Sequence, residues 1–366
     1  MKITSTQSTL LKHLELVTRI STKHVTLPVL QCVLIEAKDE TVTLRATNLE
    51  IALEVTVSDT SIDEGGIIAV PGQTLLQTIQ FITDKTVTLQ VNEDGLLEVG
   101  AKKTSTTIKP IAHDEFPSIP KIEADPIQIH RTNFSLGVKT AAFAASQSSI
   151  KPELGSVYIH QKKEHSLTFV ATDSFRLMEK TISQKGVVLD QSILIPSKNA
   201  LEVARVCDLL ENDPVMMVTE NQCAFSFPDG VYMTTRLTSG TFPDYTAILP
   251  KEFSTHSTVL KQDLLNSLKK TNVFLNKFRQ VTCEVSTASL TISSQNGDVG
   301  TVTDTIDAQT EGEELRLSFN QQYITEPLQY IQDDSIVLHF AGVGRPLVIE
   351  GVSDNSLRYL VMPMNK

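Results

Sequence analysis

Apolar and polar positions alternate with a period of two along most of the chain. Val42-Thr43-Leu44-Arg45-Ala46 and Val87-Thr88-Leu89-Gln90-Val91 read as half-buried strands. Leu347-Val348-Ile349-Glu350-Gly351 reads as another. Such alternation implies antiparallel sheet with one wet face. Stretches of helical periodicity interrupt it, with apolar residues at Leu10, Leu11, Leu14 and Val17, at Phe134, Val138, Ala141 and Ala142, and at Leu264, Leu265 and Leu268. A second set covers Leu75 to Ile82, Leu201 to Leu210 and Tyr323 to Ile331. Ser197 and Asn320 are placed as helix N-caps, and Pro327 as a kink or an early-turn residue.

The pattern repeats three times. Val42-Thr43-Leu44-Arg45-Ala46-Thr47-Asn48 is matched by Leu167 to Asp173 after 125 residues and by Leu290 to Asn296 after a further 123. Each strand ends in an Asn or Asp turn. Pro71 and Pro196, each opening a helical stretch, are 125 apart, and Asn320 follows Pro196 by 124. Phe116-Pro117 and Phe242-Pro243 are 126 apart. The chain of 366 residues is therefore a triplicate. Its predicted domains are 1–124, 125–252 and 253–366, each an α+β unit of two helices with antiparallel sheet.

Charge changes this picture. The formal net charge is −11, which taken alone argues against a nucleic-acid partner. Residues 8–24, however, carry Lys12, Arg19 and Lys23 against Glu15. Residues 131–151 carry Arg131, Lys139 and Lys151 with no acid. Residues 261–279 carry Lys261, Lys269, Lys270, Lys277 and Arg279 against Asp263. These equivalent stretches sum to +9, leaving −20 elsewhere. One reading is three ordinary solvated helix faces. The other is a shared phosphate-facing surface on an otherwise repelling body, and its recurrence at equivalent positions favours it.

Chemistry is conspicuous by its lack of pattern. There is no phosphate-cradling GxxxxGK[ST], no HExxH and no GxSxG. The four cysteines, Cys32, Cys207, Cys223 and Cys283, are scattered and read as buried reduced thiols. No metal or cofactor is expected. Asp173 and Arg176 read as a turn cap rather than an active-site pair, and Asp333-Asp334 as a solvated turn. No secretory leader or 18-residue apolar run is visible, so a cytoplasmic protein without a membrane partner is expected.

Several motifs together resemble the bacterial DNA polymerase III beta subunit, the sliding clamp. They are Thr26-Leu27-Pro28-Val29-Leu30, Ala171-Thr172-Asp173-Ser174-Phe175-Arg176-Leu177, Phe242-Pro243-Asp244-Tyr245, Lys277-Phe278-Arg279 and Tyr359-Leu360-Val361-Met362-Pro363-Met364. The resemblance covers the whole chain in register. It implies a non-catalytic processivity factor, a ring made by a head-to-tail homodimer that encircles duplex DNA. The implied partners are the replicative DNA polymerase, a clamp loader and other replication and repair proteins, bound through short linear motifs.

Carried over by resemblance, the partner cleft comprises Leu154, Thr172, Ser174, Phe175, Arg176, Leu177, Pro243, Ile248, Tyr323, Val343, Val361, Met362, Pro363 and Met364. The DNA-facing set is Lys12, Arg19, Lys23, His24, Lys139, Lys151, Lys198, Arg205, Lys269 and Lys277. The subunit seam is placed at Ile108 on one face and at Val273 with Phe274 on the other. The chain departs from the family where Phe175 replaces a frequent His, Ala247 a common basic residue and His24 an expected Arg. Pro152 and Glu153 occupy positions that are aromatic in some relatives. Two other readings compete: a β-rich extracellular repeat protein, against which the basic helices and missing leader count, and an enzyme, for which no residues present themselves.

Overall fold

The computed structural model describes Met1–Ser21 and Leu27–Met364. Lys23, His24 and the Thr26 end of the first motif lie outside the described residues, as do Asn365 and Lys366. Six α-helices stand among the described residues: α1 (Gln7–Val17), α2 (Gly72–Gln80), α3 (Arg131–Ala142), α4 (Ser197–Leu209), α5 (Lys261–Thr271) and α6 (Gln321–Thr325). Their starts follow local chemistry. The Thr6 side chain accepts the Thr9 amide at 3.1 Å and caps α1. Asn320 does the same for Gln322 at 2.9 Å and caps α6, as its sequence position predicts. Ser197 does not stand outside its helix: it is the first residue of α4, one position further in than a cap. Pro327 ends the α-helical part of the last repeat, which continues as a 3-10 turn over Glu326–Gln329.

Strands form four sheets in two compact units, and every pairing among the described strands is antiparallel. The first unit, Met1–Thr132 with Glu202–Leu237, holds a five-stranded and an eight-stranded sheet. In the latter, Val231–Arg236 pairs with Ile51–Val57, so strands of the first and central repeats share one sheet. The second unit, Asn133–Leu201 with Thr238–Lys366, holds a nine-stranded and a four-stranded sheet. Here Arg176–Ser183 pairs with Leu357–Val361, which joins the central and last repeats in the same way. The central repeat is thus divided between two sheets, each borrowing a neighbour's strands to bury one face.

Within the second unit, Phe134 of α3 meets Phe169 edge-on, with ring centroids 5.7 Å apart. Gly137 lies on the same helix, and a Cβ there would stand 2.3 Å from the Phe169 ring. In the first unit, Leu10, Leu14 and Val17 of α1 are buried, as the period predicts. The four cysteines are free and buried, and burial pushes the Cys32 thiol up to about 11 and the Cys207 and Cys283 thiols up to about 12.

The helices are shorter than the basic stretches read from sequence. Because α1 ends at Val17 and α5 at Thr271, Arg19, Lys277 and Arg279 lie beyond them, and Lys151 follows α3 by several residues. Asp333 is also more than a solvated turn. Its carboxylate accepts the Ser353 hydroxyl and amide and the Asp354 amide, which hold it below its ordinary pKa.

Candidate functional site

The site is built from one end of the nine-stranded sheet. Strand Ser166–Thr172 turns into Arg176–Ser183 through Asp173, Ser174 and Phe175. The Thr172 hydroxyl donates to Arg176 O at 2.6 Å and accepts the Ser174 amide at 3.2 Å. Asp173 Oδ1 accepts the amides of Phe175 at 2.9 Å and Arg176 at 3.0 Å. Ser174 is held at φ 77°, a left-handed conformation that a non-glycine residue seldom adopts. The turn is thus locked by its own side chains and projects Phe175 outward.

Arg176 is a structural cation. Its guanidinium donates to Asp173 Oδ2 at 3.0 Å, to Phe143 O at 2.9 Å and to Glu326 Oε2, and it lies 4.4 Å from the Tyr323 ring centre. A nearly buried charge needs this enclosure, since losing a partner would leave it unpaired. The turn-cap reading of Asp173 therefore holds, with Glu326 and Phe143 added. Neither could be found from sequence, because Glu326 is 150 residues away.

The chain end packs against this turn. Val361 pairs with Arg176 and with Leu347, and Leu360 with Leu177 and Val348. After Val361 the ladder stops before Pro363. Met362 N still donates to Phe175 O at 2.8 Å, and Met364 N to Ser318 O at 2.8 Å, so the tail is pinned through Met364. Beneath lies a buried apolar cluster of Leu154, Val170, Leu177, Leu194, Phe242, Tyr245, Val348 and Leu360. The segment carrying Phe242-Pro243-Asp244-Tyr245 is fixed over it. Tyr245 Oη donates to Glu179 Oε2 at 2.6 Å, which with burial raises the phenol's pKa, and Asp244 caps the turn at Thr246.

The predicted cleft residues thus separate into two groups. Leu154, Thr172, Arg176, Leu177 and Val361 are buried and form the floor and frame. Ser174, Phe175, Pro243, Ile248, Val343 and Met362 are exposed, while Tyr323, Pro363 and Met364 are half-buried. Phe175 is 62% exposed, Val343 78%, Ile248 52% and Met362 37%. Val343 sits in the turn between Ser335–Phe340 and Leu347–Gly351, whose last pair, Phe340 with Leu347, neighbours Val361. Exposed apolar groups from the central repeat and the chain end are therefore set on one rigid frame. Sequence reasoning passed over the frame's buried members Leu360, Val348 and Tyr245; their alternation within already quoted motifs was the available signal.

The basic residues divide as follows. Lys12, Arg19, Lys139, Lys151, Lys198, Lys269 and Lys277 are exposed. Arg205 is half-buried, donating to Glu202 at 2.8 Å and to Leu16 O at 3.0 Å. Arg19 also approaches Glu202, at 3.7 Å. Lys270 is committed to Asp304 at 2.8 Å and Lys261 to Ile331 O at 2.7 Å. Of the seam residues, Val273 is exposed and Phe274 half-buried in a 3-10 turn after α5. Ile108 is only 4% exposed on the edge strand Ser105–Ile108, where Ser105 and Thr107 are the exposed side chains. Among the described residues no group of three or more His, Cys, Asp or Glu could hold a metal ion.

Comparison with known proteins identifies the family. Three models of the DNA polymerase III beta subunit match in succession: its N-terminal domain over residues 1–120, its central domain over 128–244 and its C-terminal domain over 246–365. The beta sliding clamp of Staphylococcus aureus is 26% identical over 351 residues, covering 93% of this chain and 92% of the relative. The DNA polymerase III beta subunit of Thermotoga maritima superposes with a TM-score of 0.94 at 26% identity, covering 100% of this chain and 99% of that one. The DNA polymerase sliding clamp of Bacillus subtilis gives 0.92 at 25% identity over the same shares. Matched by all three domain models in order, the chain belongs to the DNA polymerase III beta subunit family, the beta sliding clamps.

Proposed function

We propose that this clamp recruits its partners by capturing short linear segments at the Phe175–Met362 cleft, while two chains close head to tail around duplex DNA. Sliding-clamp function in replication, without catalysis, comes with the family. The cleft assignment rests on one observation above all: Phe175, Ile248, Val343 and Met362 are exposed apolar groups held on a hydrogen-bonded frame. Such a surface suits varied apolar anchors, with methionine as an adaptable wall. Among the cleft's described residues the cation, Arg176, is enclosed by two carboxylates.

The basic residues supply the second half of the function. Lys12, Lys139, Lys198, Lys269 and their neighbours read no base edges and suit sequence-independent phosphate contact. Val273 supplies an exposed apolar anchor for the seam. DNA polymerase, a clamp loader and repair proteins would share the cleft in turn.

The cleft is tested by truncation. Since Val361 is buried and paired on both sides, the cut that spares the sheet removes Met362 to Lys366. Fluorescence anisotropy with a labelled Gln-Leu-x-Leu-Phe peptide, the motif that the family resemblance implies, should show binding to the full chain and at least a tenfold loss in the truncated one, with the dimer preserved. Full affinity after truncation would place the cleft elsewhere.

A further inference from the structure

The turn carrying Ser174 and Phe175 has a twin 125 residues earlier in the chain. In Thr47-Asn48-Leu49-Glu50-Ile51, the Thr47 hydroxyl donates to Ile51 O at 3.0 Å and accepts the Leu49 amide at 3.1 Å. Asn48 Oδ1 accepts the amides of Glu50 and Ile51, both at 3.0 Å. These are the four bonds that Thr172 and Asp173 make, in the same order. Leu49 has φ 76°, against 77° for Ser174. Arg236 N donates to Glu50 O at 2.8 Å, as Met362 N does to Phe175 O. Phe116, just before Pro117, packs on its own buried cluster, as Phe242 does before Pro243.

The filling differs. Leu177 and Leu360 face each other across neighbouring strands in the cleft floor. Their counterparts, also paired, are Ala52 and Thr234. Smaller side chains on the same backbone leave an open pocket of about 260 Å³, lined by Leu49, Ala52, Pro117, Pro120, Glu50 and Arg236 among others. Glu50 and Arg236 are exposed, and neither forms an ion pair among the described residues. Pockets for drug-sized ligands begin at roughly 300 Å³, so this one suits a single side chain better than a small molecule.

We propose that this pocket is a second docking site, for an extended segment of a partner protein. The segment inserts one apolar side chain over Ala52 and sets an acidic residue against Arg236 and a basic one against Glu50. Apolar insertion supplies the contact, and the two opposite charges fix the direction of the segment. The proposal rests on the peptide reading of the cleft for its analogy, and on its own lining for its chemistry.

The test uses the full-length dimer with labelled alanine and leucine methyl groups, observed by NMR. The probes are acetylated Gly-Asp-Leu-Lys-Gly, its charge-reversed Gly-Lys-Leu-Asp-Gly and a Gly-Asp-Gly-Lys-Gly control. One of the leucine peptides should shift the Ala52 and Leu49 signals saturably, and the control should not. Ala52→Leu, which installs the leucine that the cleft floor already tolerates, should abolish the shift. Exchanging the rim charges, Glu50→Arg with Arg236→Glu, should switch the preferred peptide by at least tenfold. Both substitutions are at exposed positions, so this arm holds even if Ala52→Leu disturbs folding. Ala52 and Leu49 signals that never move, or a Leu49 signal that still moves in folded Ala52→Leu, overturn the proposal. Shifts confined to Leu177 also overturn it. The cleft reading is separate, since removing Met362 to Lys366 leaves this lining intact.

Discussion

Gly137 shows how one missing atom can fix a fold. Glycine inside a helix costs about 1 kcal/mol relative to alanine. Here it admits the Phe169 ring, which a Cβ would meet at 2.3 Å. Gly137→Ala should therefore destabilise by roughly 1–3 kcal/mol, as overpacking does, despite better helix propensity. Urea unfolding measures it, and a more stable variant would contradict the packing. The histidines act through protonation. Burial holds His13, His160 and His339 below the ordinary value of 6.5, and His339 Nδ1 lies 2.6 Å from His256 Nδ1, so one of the two carries the shared proton. An unfolded chain takes up protons at these sites more readily than the folded one, so stability rises with pH. Full stability is expected above pH 6.5, with loss beginning as pH falls through that value. Denaturant midpoints from pH 7.5 to 5.5 should decline, and less steeply in His339→Gln; a flat profile would refute the assignment.

Among the elements, the strands were the most legible, because a period of two survives any tertiary context that leaves one face wet. Of the two caps read from sequence, Asn320 starts its helix, while Ser197 lies one residue inside α4. Helix ends did not show, and α1 stops short of Arg19 and α5 short of Lys277 and Arg279. The proposed cleft was legible as motifs but not as a frame. Its floor residues Leu177 and Val361 look no different in sequence from exposed Phe175 and Met362, since burial is decided by strand partners far along the chain. The partition of charge is likewise tertiary: Lys270 and Lys261 read as free cations until Asp304 and Ile331 O claim them. The remaining exposed lysines and arginine carry a prediction. Neutralising Lys12, Arg19, Lys139, Lys151, Lys198, Lys269 and Lys277 together should weaken DNA binding at low salt. Each lost phosphate contact should remove about 0.9 from the log–log salt slope. An unchanged slope in the folded variant would remove these residues from the DNA surface.

For the whole molecule, triplication explains both the economy and the asymmetry. One turn geometry is built at Thr47 and again at Thr172, and side-chain size at two floor positions makes one a filled shelf and the other a hole. Three repeats per chain and two chains per ring require a heterologous contact that closes. Val273, 67% exposed, is the apolar residue proposed to contribute to it. The most direct measurement loads the clamp on nicked circular DNA with a clamp loader and ATP, then linearises the circle. Wild-type clamp should be retained on the circle through high salt and lost on linearisation, and Val273→Asp, as a folded monomer, should not be retained at all. Clamp that stays on the linear DNA, or a Val273→Asp protein that is still retained on circles, would contradict topological encirclement through this seam.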